Sequence, residues 1–261
     1  MKPRAVWIVL VLLALGFGVG FVASRQGNEE DAAPAARSAS TASPAPATTE
    51  APAAAVPPPV PKPRPTFSVA TLPQPVRARL RRGGFWHRGC PVPLSGLRVL
   101  SVLYRGFDGQ VHAGELVVNS TAADPLKRVF RRLLRQRFPI RHIGFADFYG
   151  PRAEHPSDGD VTASFECRQS VPSPCTGGLK SGHWSMHAYG LAVDLNPTEN
   201  PYVGCGQSRD PATRPYRDRS RHKRGMIDRR AVASFGSVGW GWGGAWTGTT
   251  KDYMHFSSTG H

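Results

Sequence analysis

The sequence predicts an α+β domain, and three patterns carry that prediction. "LRVLSVLYRGFDGQVHAGELVVNS", Leu97 to Ser120, reads as a β-hairpin: Val99, Val102, Leu116 and Val118 flank a turn signal at Phe107-Asp108-Gly109. "DPLKRVFRRLLRQRF" then reads as an amphipathic helix, with Leu126, Val129, Phe130, Leu133 and Leu134 on one face. Asp124 is placed to cap it, Pro125 suits its first position, and Pro139 stops it. Beyond it, strand-like pieces and helices mix without a βαβ rhythm, which separates α+β from α/β. The strands are "IRHIGFADFY", "GLAVDL" and "DYMHFSS". A second short helix is expected in "MIDRRAVASFGSVG", before the Trp/Gly-rich "GWGWGGAW".

Outside this domain the chain changes character. Lys2 and Arg4 precede an apolar run of 19 residues, Ala5 to Ala23, long enough to span a bilayer as a helix. The basic residues before the run favour a cytoplasmic N-terminus and export of the rest. An uncleaved anchor is the favoured reading over a cleavable signal, although Val22-Ala23-Ser24 loosely fits a cleavage site. From Ala32 to Thr66 the composition collapses to Ala and Pro, with nothing large to bury; this is a disordered spacer. The expected organisation is a cytoplasmic stub at 1–4, a membrane anchor at 5–23, a linker at 24–71 and a folded extracytoplasmic domain at 72–261.

The formal charge is +15, and from Arg79 onward 26 Lys and Arg face 14 Asp and Glu. The basic residues are scattered among Gly and Pro rather than interleaved with stacking aromatics. Together with export, that argues against nucleic acid as the partner. Four cysteines, Cys90, Cys167, Cys175 and Cys205, suit two disulfides in an exported chain. Spacing leaves all three pairings open, with Cys167–Cys175 the most local.

The chemistry concentrates in "SMHAYGLAVDLN", where His187 stands seven residues before Asp194. A catalytic zinc ion takes three protein ligands from His, Asp and Glu and keeps a fourth position open. His255 in "KDYMHFSS" is the best third ligand, alternating with Tyr253 and Ser257 along a strand. Gly190 and Ala192 are small enough to let a metal and a substrate backbone come close. Asp252, three residues before His255, is a carboxylate able to act as general base. His183 and His187 have the spacing of an H-E-x-x-H helix but lack its glutamate, so that motif is rejected. His87, His112, His142, His155, His222 and His261 show no partner pattern and read as surface or loop residues.

The pattern S-x-H-x-x-G-x-A-x-D-L, present as Ser185, His187, Gly190, Ala192, Asp194 and Leu195, resembles the signature of the VanY-like zinc D-alanyl-D-alanine carboxypeptidases. The wider group includes D-Ala-D-Ala dipeptidases, L-alanyl-D-glutamate endopeptidases and hedgehog-type domains. "ASFECR", "WSMHAYGLAVDLNPTENPYV", "YRDRS" and "FGSVGWGWGGAW…KDYMHF" extend the likeness over roughly Leu97 to Phe256. The resemblance implies a central antiparallel sheet flanked by helices. It also implies Zn(2+) held by His187, Asp194 and His255, with Asp252 as the acidic residue that activates water. Arg168 matches an arginine that holds the scissile carbonyl or the substrate carboxylate, and Ser185 matches a serine beside the metal, on the substrate side. Two departures stand out: Ala245 where members often carry Asp, and a long loop between Arg168 and Ser185.

The function so implied is a zinc peptidase of bacterial peptidoglycan stem peptides, anchored in the cell membrane by its N-terminal helix with the catalytic domain outside. D-alanyl-D-alanine carboxypeptidase activity leads. An L-alanyl-D-glutamate-type endopeptidase and a non-catalytic, zinc-containing wall-binding module are the alternatives. Asp252 together with Arg168 favours an enzyme over a binding module.

Overall fold

The β-hairpin forms as the alternation requires, and the rest of the domain is built onto it. In a computed structural model, residues 66–145, 149 and 155–261 are described, all within a unit spanning 60–261. The expected membrane anchor and nearly all of the linker lie outside the described residues. Among the described residues no helix is long and apolar enough to cross a membrane.

Strand β1 (Ser68–Thr71) is followed by helix α1 (Gln74–Arg82), then by β2 (Leu97–Arg105) and β3 (Val111–Asn119). The three strands form one antiparallel sheet in the order β1-β2-β3, with Leu97 opposite Asn119 and Arg105 opposite Val111. The folded part thus begins upstream of Leu72. β1 is a largely exposed edge strand next to the Pro-rich stretch, so it carries little hydrophobic signal. Helix α2 (Ala123–Arg135) packs Leu126, Val129, Phe130 and Leu133 onto Leu100, Val102, Leu116 and Val118, all buried. Leu134 is only half-buried. Ala122, not Asp124, occupies the cap position. Asp124 lies inside the first turn, where its charge complements the helix dipole and Lys127 pairs with it at 2.5 Å.

The second half is made of short pieces. They are β4 (Ala192–Asp194), β5 (Tyr202–Gly204), β6 (Gln207–Ser208), α3 (Arg229–Gly236), β7 (Gly241–Trp242), β8 (Lys251–Asp252) and β9 (His255–Ser257). They pair as two further three-stranded antiparallel sheets, β4-β9-β7 and β6-β5-β8. The single central sheet expected from the family likeness is therefore three small sheets among the described residues. "IRHIGFADFY" makes only one isolated bridge over its described part, Ile143 to Thr162, while Pro139 just before it bridges to Arg105. "DYMHFSS" splits into β8 and β9, with a bend at Tyr253 and Met254 between them, so Tyr253 does not share a strand face with His255. α3 forms where expected, capped by Asp228, whose carboxylate accepts from Ala231 N at 2.8 Å.

Asn196 and Asn200, both fully buried, hold "NPTENP" in place. Asn196 donates to the carbonyls of Pro139 and Gly225, and Asn200 to those of Leu195, Asn196 and Gly225. Nearby, Arg141 bridges the buried carboxyls of Asp160 (3.1 Å) and Glu199 (2.5 Å). Burial, then the hydrogen bond and charge of Glu199, push Asp160 up to about 9.

The disulfides are Cys90–Cys167 and Cys175–Cys205, spanning 77 and 30 positions. The most local pairing, Cys167–Cys175, is not formed. Cys167 sits in a second buried cluster with Leu72, Leu80, Phe85 and Phe165, which brings it to Cys90. Cys175 lies instead on the loop that packs against the β5–β6 turn.

Gly190 carries a role different from the one its spacing suggested. It closes the 3-10 turn Met186–Tyr189 at φ 63°, and a Cβ there would lie 2.6 Å from Asn119 N. Its space is taken by the end of β3, which bonds back through Asn119 N to Gly190 O at 2.9 Å. Ala192 is fully buried and lines neither of the cavities described below, so neither residue makes room for a substrate. Gly190→Ala is expected to cost about 2 kcal/mol or more, from the left-handed conformation plus the displaced β3 backbone. Thermal unfolding checks this, with Gly236→Ala, where a Cβ meets nothing, as the control.

Candidate metal centre

The backbone segment "ASFECR", Ala163 to Arg168, is the strut on which the site is assembled. Phe165 N bonds Val117 O of β3 and Cys167 N bonds Phe85 O, fixing it to the hairpin side. Ala163 exchanges bonds with Asp194 (3.2 and 3.0 Å), Glu166 N reaches His187 O, and Ser185 N reaches Arg168 O. One segment therefore aligns β4 and the turn carrying His187.

That turn begins at Ser185, whose hydroxyl accepts from His187 N at 3.2 Å. Ser185 is thus the cap that sets the histidine, although it also lines the adjoining cavity. His187 Nδ1 lies 2.6 Å from Ser164 O and donates to it, which turns Nε2 toward Asp194 and His255. β4 and β9 pair with Asp194 directly opposite His255. Next to His255 on β9, Phe256 points the other way and stacks on Phe235 of α3 at 3.7 Å. The strand alternation puts a core ring and a site imidazole on opposite faces.

Three buried atoms result: His187 Nε2, His255 Nδ1 and Asp194 Oδ1, each 3.2 Å from the other two. Ligands about 2.0–2.1 Å from a tetrahedral metal stand roughly 3.3 Å apart, so the triangle has the size of one tetrahedral face. Two imidazole nitrogens and one carboxylate oxygen are also a donor set that suits zinc. His255 Nε2 is buried without a hydrogen-bond partner among the described residues, so that ring's polar contacts all lie on its Nδ1 side. Burial alone pushes the Asp194 carboxyl up, but the charge of His187 and the hydrogen bonds of both imidazoles hold it well below the ordinary carboxylate range. A second His/Cys grouping, His87 with Cys90 and Cys167, has its sulfurs joined in a disulfide and offers no thiolate.

Asp194, His187 and His255 open onto a cavity of about 290 Å³ that Asp252 and Arg168 also line. Asp252 reaches it from a different sheet, through the pairing of Tyr202 with Asp252 across β5 and β8. Gly243 makes this possible: a Cβ there would fall inside contact distance of the Asp252 carbonyl oxygen. Arg168 lies 5.1 Å over the ring of Tyr149 and donates to Gln169 O. The structure thus brings all the sequence-derived site residues to one cavity.

Sequence reasoning missed Tyr149, Tyr202, Trp246 and His261, which line the same cavity. His261 is an exposed loop residue, as expected, but its ring stacks on Trp246 at 6.0 Å and lines the cavity. Tyr149 is raised well above the usual phenol range by burial first, then by the charges of Asp252 and Asp194. Tyr202 is pushed up to about 12 by burial and then Asp252. Both hydroxyls feel the charge of Asp252, and Tyr149 that of Asp194 as well. Ala245, the departure noted in the sequence, is exposed and lines neither cavity, whereas the long loop after Arg168 does reach the cleft.

A family model described as D-alanyl-D-alanine carboxypeptidase matches residues 179–258. The chain is similar to that family over this stretch, less than a third of its length. The segment contains the His187–Asp194–His255 triangle and Asp252, and begins after Arg168. The matched family is one of peptidases. Comparison with curated proteins and with solved structures gives no match.

Isothermal calorimetry of the metal-free protein is expected to show one zinc ion bound per chain. Asp194→Ala is expected to weaken that binding at least about 100-fold, while His142→Ala, on an exposed ion pair with Asp158, leaves it unchanged. Equal affinity in the Asp194 variant would exclude the triangle as the site.

Proposed function

We propose that this chain is a zinc-dependent peptidase that hydrolyses peptidoglycan stem peptides, acting as a D-alanyl-D-alanine carboxypeptidase. The single observation that carries the reading is the buried triangle of two imidazole nitrogens and one carboxylate oxygen, with Asp252 and Arg168 on the same cavity. His187, Asp194 and His255 would hold a zinc ion, which when bound would supply Lewis acidity toward water and the scissile carbonyl.

The chain's own groups supply the rest. Asp252 accepts the proton of the attacking water and returns it to the amine nitrogen of the leaving D-alanine. Arg168 holds the negative charge that develops on the scissile carbonyl oxygen. Tyr149, packed under the Arg168 guanidinium, limits that side chain's freedom and keeps a neutral hydroxyl at the same wall. Ser164, through its carbonyl, fixes the His187 tautomer and so the direction of Nε2. Export and anchoring by the apolar run at 5–23 bring the domain to its polymer, with the Ala/Pro-rich segment as spacer.

The test uses synthetic tri-, tetra- and pentapeptide stems with product identification by mass spectrometry. The expected product is a single D-alanine from the pentapeptide, abolished by a strong chelator and restored by zinc. Asp252→Ala is expected to lower kcat by about 10²–10⁴-fold with zinc still bound. Cleavage between L-alanine and D-glutamate would move the assignment to an endopeptidase, and undiminished turnover in Asp252→Ala would remove the mechanism.

A further inference from the structure

We propose that the groove beside the metal cluster binds an acidic arm of the substrate, a peptide segment with free carboxylates, and that Lys180 and Arg209 recognise it. The inference rests on the peptidase reading and deepens it. A groove of about 860 Å³ continues from the catalytic cavity, and the two share Tyr149, Arg168, Val171 and Trp184. That volume falls in the range, about 300–1,000 Å³, that accommodates a whole drug-sized ligand. It therefore has space for much more of a substrate than the residues flanking one peptide bond.

The chemistry of its wall is one-sided. Arg168, Lys180 and Arg209 line it. Asp210 is the one carboxylate among its described lining residues, and it is engaged in capping the turn that follows, accepting from Ala212 N at 2.8 Å. Lys180 is exposed and has no ion pair among the described residues. Trp184 and Leu179, 39% and 66% exposed, add an apolar surface for the arm's backbone and methylenes.

The loop that presents Lys180 is fastened rather than loose. Ser170 N bonds His183 O at 2.8 Å, Ser181 N bonds Ser170 O at 3.1 Å, and Gly182 N bonds the Gln169 side chain at 2.9 Å. Cys175–Cys205 ties its tip to the β5–β6 turn, and Arg209 donates to Pro172 O at 2.7 Å. A cation on a pinned loop loses less entropy on pairing than one on a free loop, so it selects for charge at a fixed distance from the scissile bond. Loop and disulfide together thus form the wall that the long insertion after Arg168 contributes.

The experiment compares two peptides with the same scissile pair, one with free side carboxylates on its arm and one with those carboxylates amidated. Binding is measured by calorimetry on the full chain carrying Asp252→Ala, and turnover on the chain with Asp252 intact. The acidic peptide is expected to bind about tenfold more tightly. Lys180→Gln is expected to remove roughly fivefold of that preference, Lys180→Arg to retain it, and neither to alter affinity for the amidated peptide. Equal binding of both peptides, or an equal loss for both in Lys180→Gln, overturns the proposal even if both are hydrolysed. Preferential, Lys180-dependent binding with no hydrolysis of either supports the groove and removes the peptidase reading instead.

Discussion

The register between β4 and β9 is the constraint from which the centre follows. Asp194 stands opposite His255 across an antiparallel pair, and the side chains of such a pair share a face at contact distance. A slip of one residue would set Asp194 against Phe256 or Met254, turning the imidazole into the core and a core ring toward the site. Phe256 prevents this by stacking on Phe235 of α3, so the helix at the back of the strand fixes the chemistry at its front. His187 joins from a turn whose closing glycine abuts β3 and whose imidazole is set by the Ser164 carbonyl.

The surrounding structure spends little on long regular elements. The second half of the domain holds its position through short strands and two buried asparagines, which satisfy backbone groups that a larger sheet would otherwise pair, and through two covalent disulfide cross-links. Buried charge is handled the same way, by local compensation. Arg141 pairs with both Asp160 and Glu199, while the two imidazoles offset Asp194.

The hairpin and α2 were legible because their apolar residues follow one period over nine to thirteen positions. Asp194, His187, His255 and Asp252 were legible as a motif, and the spacing of the first two reflects one turn and one strand entering the same site. The elements that were not legible depend on tertiary context. β1 is an edge strand with little to bury, and the break between β8 and β9 is set by partners in two different sheets. Gly190 was rightly singled out but for the wrong neighbour, since nothing local to it signals the end of β3. Tyr149, Tyr202 and His261 reach the cavity from outside the motif, with no spacing to betray them. Disulfide pairing was open for the same reason: the buried cluster that brings Cys90 to Cys167 is assembled from segments 77 positions apart.

The central claim, that three buried side chains form a zinc site, is tested most directly by X-ray absorption at the zinc edge on the full chain loaded with one equivalent. The expected first shell is four light atoms at about 2.0–2.1 Å, including two imidazoles and one carboxylate, with one imidazole lost in His255→Ala. A sulfur scatterer at about 2.3 Å, or an unchanged shell in that variant, would contradict it.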